Sequence, residues 1–194
     1  MAQMISKEES ASEPIRGRCE EITSEVDRVT AQLNEFINFS KPPEVRRTSV
    51  DLGSIIEDVT RPLRGEMEDQ KIVVAPPPHP FRIEADEKML RQVVFNIILN
   101  SLQAMNDGGH IAITTGTAED GAWIEIRDDG PGIAEAHREK IFQPYYTTRE
   151  KEGSGLGLAI VRQIVLAHGW EIAFQPAEPR GTKFRITRIR EAAA

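Results

Sequence analysis

Ile22, Val26, Val29, Leu33 and Phe36 recur at steps of four, three, four and three, the alternation that lines apolar side chains along one seam of a helix. Ser12 and Glu13 ahead of Pro14 predict its start. Lys41-Pro42-Pro43 predicts its stop, because proline lacks the amide hydrogen and restricts the residue before it. A helix over residues 13–41, at ~1.5 Å per residue, spans roughly 42 Å, longer than a small domain's own core requires. The seam either packs on its own domain or joins an intermolecular bundle. Further along, Thr48-Ser49-Val50 reads as a strand, and Asp51 caps a helix running to about Asp69 with a kink at Pro62. Residues 71–75 and 81–84 read as strands on either side of Pro76-Pro77-Pro78. A helix over 87–105 closes at Asn106-Asp107-Gly108-Gly109. Residues 110–115 and 122–127 alternate apolar and polar side chains, as the half-buried strands of a hairpin do. A last helix over 155–168 precedes two final strands, 171–175 and 182–189. The sum is an α/β fold, a two-layer sandwich with a mixed sheet covered on one face by helices.

The 194 residues suffice for one well-buried domain with an appended element: a leader at 1–12, the helix at 13–41, a domain at 45–190 and a tail at 191–194. With 24 Lys and Arg against 31 Asp and Glu, the net charge of −7 argues against nucleic acid or an anionic membrane as a partner. Cys19 is the sole cysteine, so neither an intramolecular disulfide nor a cysteine metal cluster is available, which suits a reducing cytosol. The polar first dozen residues carry no signal core, and no run approaches the ~18 apolar residues of a membrane span. A cytoplasmic protein is expected, with any membrane attachment made through parts absent from this chain.

Within the 87–105 helix, Gln92, Asn96, Asn100 and Gln103 form an amide stripe, while Val93, Val94, Ile97, Ile98 and Leu102 cover the other faces. Amides on an otherwise apolar helix need partners. They either build a buried hydrogen-bond ladder or offer the Asn100 carbonyl oxygen as a hard, neutral ligand to Mg²⁺, with phosphate oxygens and water completing the shell. Asp128 ends an apolar strand and begins Asp128-Asp129-Gly130-Pro131-Gly132-Ile133, in which the glycines let the backbone turn tightly and approach a flat ligand. A carboxylate there accepts a hydrogen bond from the exocyclic amine of adenine and leaves guanine's carbonyl unpaired. An ordinary Asp-Gly hairpin turn is the bland alternative. Gly153-Ser154-Gly155-Leu156-Gly157-Leu158 opens the last helix, so backbone amides and a helix N-terminus can face phosphate oxygens. No βαβ unit brackets this loop, which excludes a Rossmann fingerprint. The polar stretch 143–153 has the character of a lid. Its Thr147, Thr148, Arg149 and Lys151 either reach the phosphates or form a solvated face. Phe142, Tyr145 and Tyr146 are expected to anchor the lid or dock a partner helix.

Taken in this order, with Phe142-Gln143-Pro144-Tyr145-Tyr146-Thr147-Thr148 between the last two signatures, the motifs resemble the ATP-binding domain of sensor histidine kinases, over roughly residues 15–190. The superfamily also holds gyrase, a heat-shock chaperone and mismatch-repair ATPases. The resemblance implies a Bergerat-type ATP-binding fold and ATP with Mg²⁺ as cofactors. It makes Asn100 the metal asparagine, Asn96 its companion, and Thr182 a polar partner of Asp128 on the adenine side, reached through water. Superfamily ATPases and anti-sigma serine kinases typically place a glutamate base four residues before the metal asparagine. Asn96 stands there and cannot take a proton, which favours transfer to an acceptor that brings its own base. Asp129 stands where asparagine is usual, and Trp170 where a second glycine is usual. The short lid, the Tyr-Tyr-Thr-Thr-Arg run and residues 25–43 resemble the nitrogen-regulation class. No histidine precedes His79, so residues 13–41 resemble only the second helix of the dimerisation bundle. The expected partners are a phosphoacceptor helix on another segment, a response regulator, and a second copy through residues 13–41. A nucleotide-gated binding module or anti-sigma-type serine kinase is the alternative.

Overall fold

The computed structural model describes residues 17–19, 21–23, 26, 44–105, 108–148 and 154–192, and the chain divides into two compact units, Met1–Pro42 and Pro43–Ala194. In the first, every described residue is helical, and the Thr23 hydroxyl donates to the Cys19 carbonyl one turn back at 2.8 Å. Ile22 and Val26 of the apolar seam are 54% and 56% exposed. The leader 1–12, the remaining seam residues Val29, Leu33 and Phe36, and the proline stop lie outside the described residues, as do Asn106 and Asp107.

In the second unit, β1 (Thr48–Asp51) feeds directly into α1 (Leu52–Thr60), whose start is fixed by the Asp51 carboxylate accepting from the Ser54 amide at 2.9 Å. The single kinked helix expected to Asp69 is divided. Pro62 has no N–H to return to the preceding turn, so the chain passes through a 3₁₀ turn, Arg61–Leu63, before α2 (Arg64–Asp69). β2 (Ile72–Ala75) and β3 (Arg82–Ala85) follow, and Asp86 then caps α3 (Glu87–Ala104) by accepting from the Met89 amide at 3.1 Å. The hairpin of β4 (Gly109–Ala118) and β5 (Gly121–Asp128) leads through a short α4 (Glu135–Arg138) to α5 (Gly157–Ala167). The chain closes with β6 (Glu171–Pro176) and β7 (Thr182–Ile189).

The main sheet has the order β2–β4–β5–β7–β6, parallel between β2 and β4 and antiparallel elsewhere, the mixed sheet the pattern predicts. The strands beside the triproline do not pair with each other. β2 joins the main sheet, and β3 pairs antiparallel with β1 in a separate ladder, extended by Glu191 bridging to Ile83. Period-two alternation sorts the sheet faces. Ile111, Ile113, Ile124, Ile126, Phe184 and Ile186 are buried. The opposite face carries Trp123 with the Arg185 guanidinium 4.2 Å from its ring centre, and Glu125, which accepts from Arg185 at 3.4 Å and forms an ion pair with Lys183 at 3.7 Å. The buried stripes of α1, α3 and α5 form the second layer. Arg91 of α3 ties it to α1, bonding Asp58 at 2.5 Å, and pairs with Glu87 at 2.8 Å.

Candidate functional site

The amide stripe of α3 faces the start of α5. The Asn96 side-chain amide donates to the Gly157 carbonyl at 3.2 Å, and a Cβ placed on Gly157 would lie 3.7–3.9 Å from the Asn96 and Asn100 amides. Asn100 is half-buried, and its side-chain amide makes no hydrogen bond among the described residues. A half-buried amide left without a protein partner is available to a ligand. α5 begins without a side-chain cap, so its first backbone N–H groups point out beside Asn100 and Asn96. Ser154 restrains this start locally, its hydroxyl accepting from the Leu156 amide at 3.3 Å. Leu156 is buried, and Leu158 and Ile133 are half-buried, so these three supply apolar wall rather than charge.

Asp128, at the end of β5, is 4% exposed and organises the other half of the site. Its Oδ1 accepts from the Gly130 amide at 3.0 Å and the Thr182 amide at 3.1 Å, while Oδ2 accepts from the Ser101 hydroxyl at 3.2 Å. Ser101 has one proton, and the Ile97 carbonyl at 3.1 Å competes for it, which leaves Oδ2 with spare acceptor capacity. Burial pushes the Asp128 carboxyl above its ordinary range, against donors from Gly130, Thr182 and Ser101 that pull it down. Thr182 thus bonds Asp128 directly, through its backbone amide and its side chain.

The glycines of the Asp128 turn have an internal packing role. A Cβ on Gly130 would come within 3.0 Å of Asp128 Oδ1 and Met105, and one on Gly132, where φ is +77°, within 3.1 Å of the Gly181 carbonyl. Ser101, Met105 and the steric role of Gly181 escaped the sequence reading. Only Gly181 left a signal, as a glycine immediately before Thr182. Asp129 turns away to β4, accepting from the His110 amide at 2.8 Å. Burial would raise its carboxyl, but the His110 donors outweigh that and hold it below the ordinary range.

Two of the three aromatics at the start of the 143–153 stretch pack onto the domain. Phe142 packs edge-on to Phe184 with centroids 6.2 Å apart, and the Tyr146 hydroxyl meets His137 Nδ1 at 2.5 Å. Tyr145 holds φ at +64° and is 58% exposed, and Gly155, at φ +68°, lets the loop close on it: a Cβ there would lie 2.5 Å from the Tyr145 carbonyl carbon. Thr147 and Thr148 are exposed, and Arg149, Lys151 and Gly153 lie outside the described residues. Among the described residues, no three His, Cys, Asp or Glu side chains gather where they could hold a metal.

At the far end of α5, Trp170 replaces the second glycine without disturbing the turn. Gly169 takes the left-handed position at φ +73°, and Trp170 is buried against His168 with centroids 4.2 Å apart. Burial pushes the His168 imidazole below its ordinary value of 6.5. A histidine held neutral in the fold contributes stability that is complete above the unfolded-state value and is lost as pH falls. The thermal midpoint should therefore drop as pH falls below 6.5. His168→Gln should flatten that part of the profile, and an unchanged profile would contradict the buried neutral assignment.

The fold that carries this site has known counterparts. Residues 85–193 match the family model of histidine kinase-, DNA gyrase B-, and HSP90-like ATPases, and the chain belongs to that family. Within it, the chain has the ATP-binding domain of a sensor histidine kinase. The sensor histidine kinase ZraS of Escherichia coli O157:H7 is 33% identical over 167 residues, covering 85% of this chain and 36% of its own length. Sporulation kinase C of Bacillus subtilis (strain 168) is 32% identical, over 85% of this chain and 39% of its own. The chain thus spans little more than a third of these relatives. Full-length ShkA, solved in complex with AMPPNP, matches at a TM-score of 0.84 and 25% identity, over 100% of this chain and 42% of that one. Histidine kinase ThkA, solved with response regulator protein TrrA, matches at 0.73 and 25% identity, over 98% of this chain and 55% of that one.

Proposed function

We propose that the unit after residue 43 binds Mg·ATP and passes the γ-phosphoryl group to a histidine on a separate bundle segment, for relay to a response regulator. The observation that carries this reading is the pairing of Asn96 and Asn100 with the uncapped start of α5, opposite buried Asp128. Asp128 Oδ2 takes the exocyclic amine of adenine, and the first amides of α5 take phosphate oxygens. Asn100 suits Mg²⁺ as a single neutral oxygen ligand with no competing partner among the described residues, and bound Mg²⁺ would offset charge on the phosphate oxygens. In the transfer, the bond from phosphorus to the β–γ bridging oxygen breaks and a bond to an acceptor imidazole nitrogen forms. ADP departs, and the imidazole proton goes to a base beside the acceptor. Asn96 cannot be that base, because its amide already donates to Gly157 and has no basic atom. ATP hydrolysis by this chain is therefore slow, and it does not label its own histidines. Cytosolic placement follows from the single cysteine and from the nucleotide chosen. Among the described residues, no helix is long and apolar enough to cross a membrane.

Asn100→Ala should weaken Mg·ATP by about tenfold while changing metal-free ATP little, as one ligand of a mostly phosphate- and water-held ion is lost. Calorimetry with and without magnesium decides this. Equal losses in both conditions would remove Asn100 from the metal shell.

A further inference from the structure

The two oxygens of Asp128 are held unequally. The Gly130 and Thr182 amides both donate to Oδ1, whereas Oδ2 receives the Ser101 hydroxyl at 3.2 Å and, among the described residues, no backbone amide. A carboxylate fixed at one oxygen can still turn about its Cβ–Cγ bond, a broad torsion, and carry the other oxygen away. Ser101 is placed to stop that turn. It is 3% exposed, and its Oγ also lies 3.1 Å from the Ile97 carbonyl one turn back, which fixes the hydroxyl against the helix. It is carried by the 18-residue α3 rather than by the glycine turn, so it ties Oδ2 to the element that also bears Asn96 and Asn100. Its single proton can go to either acceptor. Given to Asp128, it orients Oδ2 and favours the charged carboxylate, against the burial that pushes the carboxyl up. Given to Ile97, it leaves Oδ2 wholly to a ligand's donor. In both arrangements Oδ2 stays an acceptor, which suits an amine and repels a carbonyl. The groups that bond the carboxylate from the turn, β7 and α3 are Gly130, Thr182 and Ser101, all uncharged.

We propose that Ser101 is a specificity-determining residue of the nucleotide site: by holding Asp128 Oδ2 toward the base, it sets the preference for the exocyclic amine of adenine over the carbonyl of guanine. This rests on the ATP reading above and deepens it. Ser101 is a positioning residue that acts through Asp128 and touches no reacting atom.

The test is competition between ATP and GTP, with magnesium, on the full chain and its Ser101→Ala and Ser101→Cys variants. A thiol fills nearly the space of a hydroxyl but is a weak donor, so cysteine separates packing from hydrogen bonding. Both variants should bind ATP more weakly and lose about threefold to tenfold of the ATP-over-GTP preference. Acid protonates Asp128 and removes the acceptor, so ATP affinity falls as pH falls through its carboxyl value. Without the Ser101 donor that value rises, and the fall should begin at higher pH in both variants than in the unaltered chain. Carbon-13 NMR of the Asp128 carboxyl in the nucleotide-free chain should show the same upward shift. A preference and pH profile unchanged in both variants overturn the proposal. Full recovery of the preference by cysteine also overturns it, because the role would then be packing. Failure of the unaltered chain to bind ATP defeats the nucleotide reading instead, and an unmoved Asp128 titration in the nucleotide-free variants would reject the role of Ser101 separately.

Discussion

Asp128→Asn is expected to lower ATP affinity by roughly tenfold to a hundredfold, the range set by the ~1–3 kcal/mol cost of leaving buried polar groups mispaired. The carboxylate is acceptor-only, and its Oδ1 is already committed to the Gly130 and Thr182 amides. An asparagine must keep its oxygen on those two backbone donors and turn its NH₂ to the side where Oδ2 now stands. That places a donor against the Ser101 hydroxyl and, in the complex, against the adenine amine. GTP, which presents a carbonyl at the matching position, should be penalised less, so the ATP-over-GTP preference shrinks. Competition binding that leaves this preference intact would remove Asp128 from base recognition.

Gly181→Ala is expected to have the largest effect on folding. Gly181 holds φ at +111°, and a Cβ there would fall 2.0 Å from the Asp128 carbonyl oxygen, a backbone atom that cannot swing aside. Either β7 must draw away from the Asp128 turn or the turn itself must shift, and both carry donors to the Asp128 carboxylate. A loss of about 3 kcal/mol or more is expected, a fall of roughly 10 °C in the thermal midpoint, with ATP affinity falling alongside. Gly169→Ala is the control. It also sits in left-handed backbone, at φ +73°, but nothing lies within 4 Å of its Cβ, so only ~1–2 kcal/mol of strain applies. Equal midpoint losses in the two variants would show that the contact with Asp128 is not what makes Gly181 necessary.

Most elements of the second unit are legible because they carry a local signal; the one-turn α4 is too short to carry one. Asp51 and Asp86 cap their helices as the sequence suggests, and the β4–β5 hairpin follows its alternation with Ile111 and Ile124 turned to the core. What is not local was less legible. The separate ladder of β1 with β3, closed by Glu191, depends on which distant strands meet, and nothing in the four-residue strands themselves encodes that choice. In the site, Asn96, Asn100 and Asp128 stood out because polar side chains interrupt apolar elements. Ser101 did not, since a serine one turn from Ile97 reads as an ordinary helix residue until Asp128 is seen beside it. Gly130 and Gly132 signal a tight turn and close approach to a ligand, but not their packing against Met105 and Gly181, residues that only the folded chain brings there.

Under the proposed function, this chain donates phosphate from Mg·ATP to a histidine on a separate segment. The direct measurement incubates the chain with magnesium and γ-labelled ATP, with and without an added helix bearing a histidine followed by an acidic residue. Label should appear on the helix, acid-labile and dependent on Asn100 and Asp128, and none on His79, His110, His137 or His168. Stoichiometric label on one of those four, or an unlabelled helix alongside rapid release of free phosphate, would contradict the account.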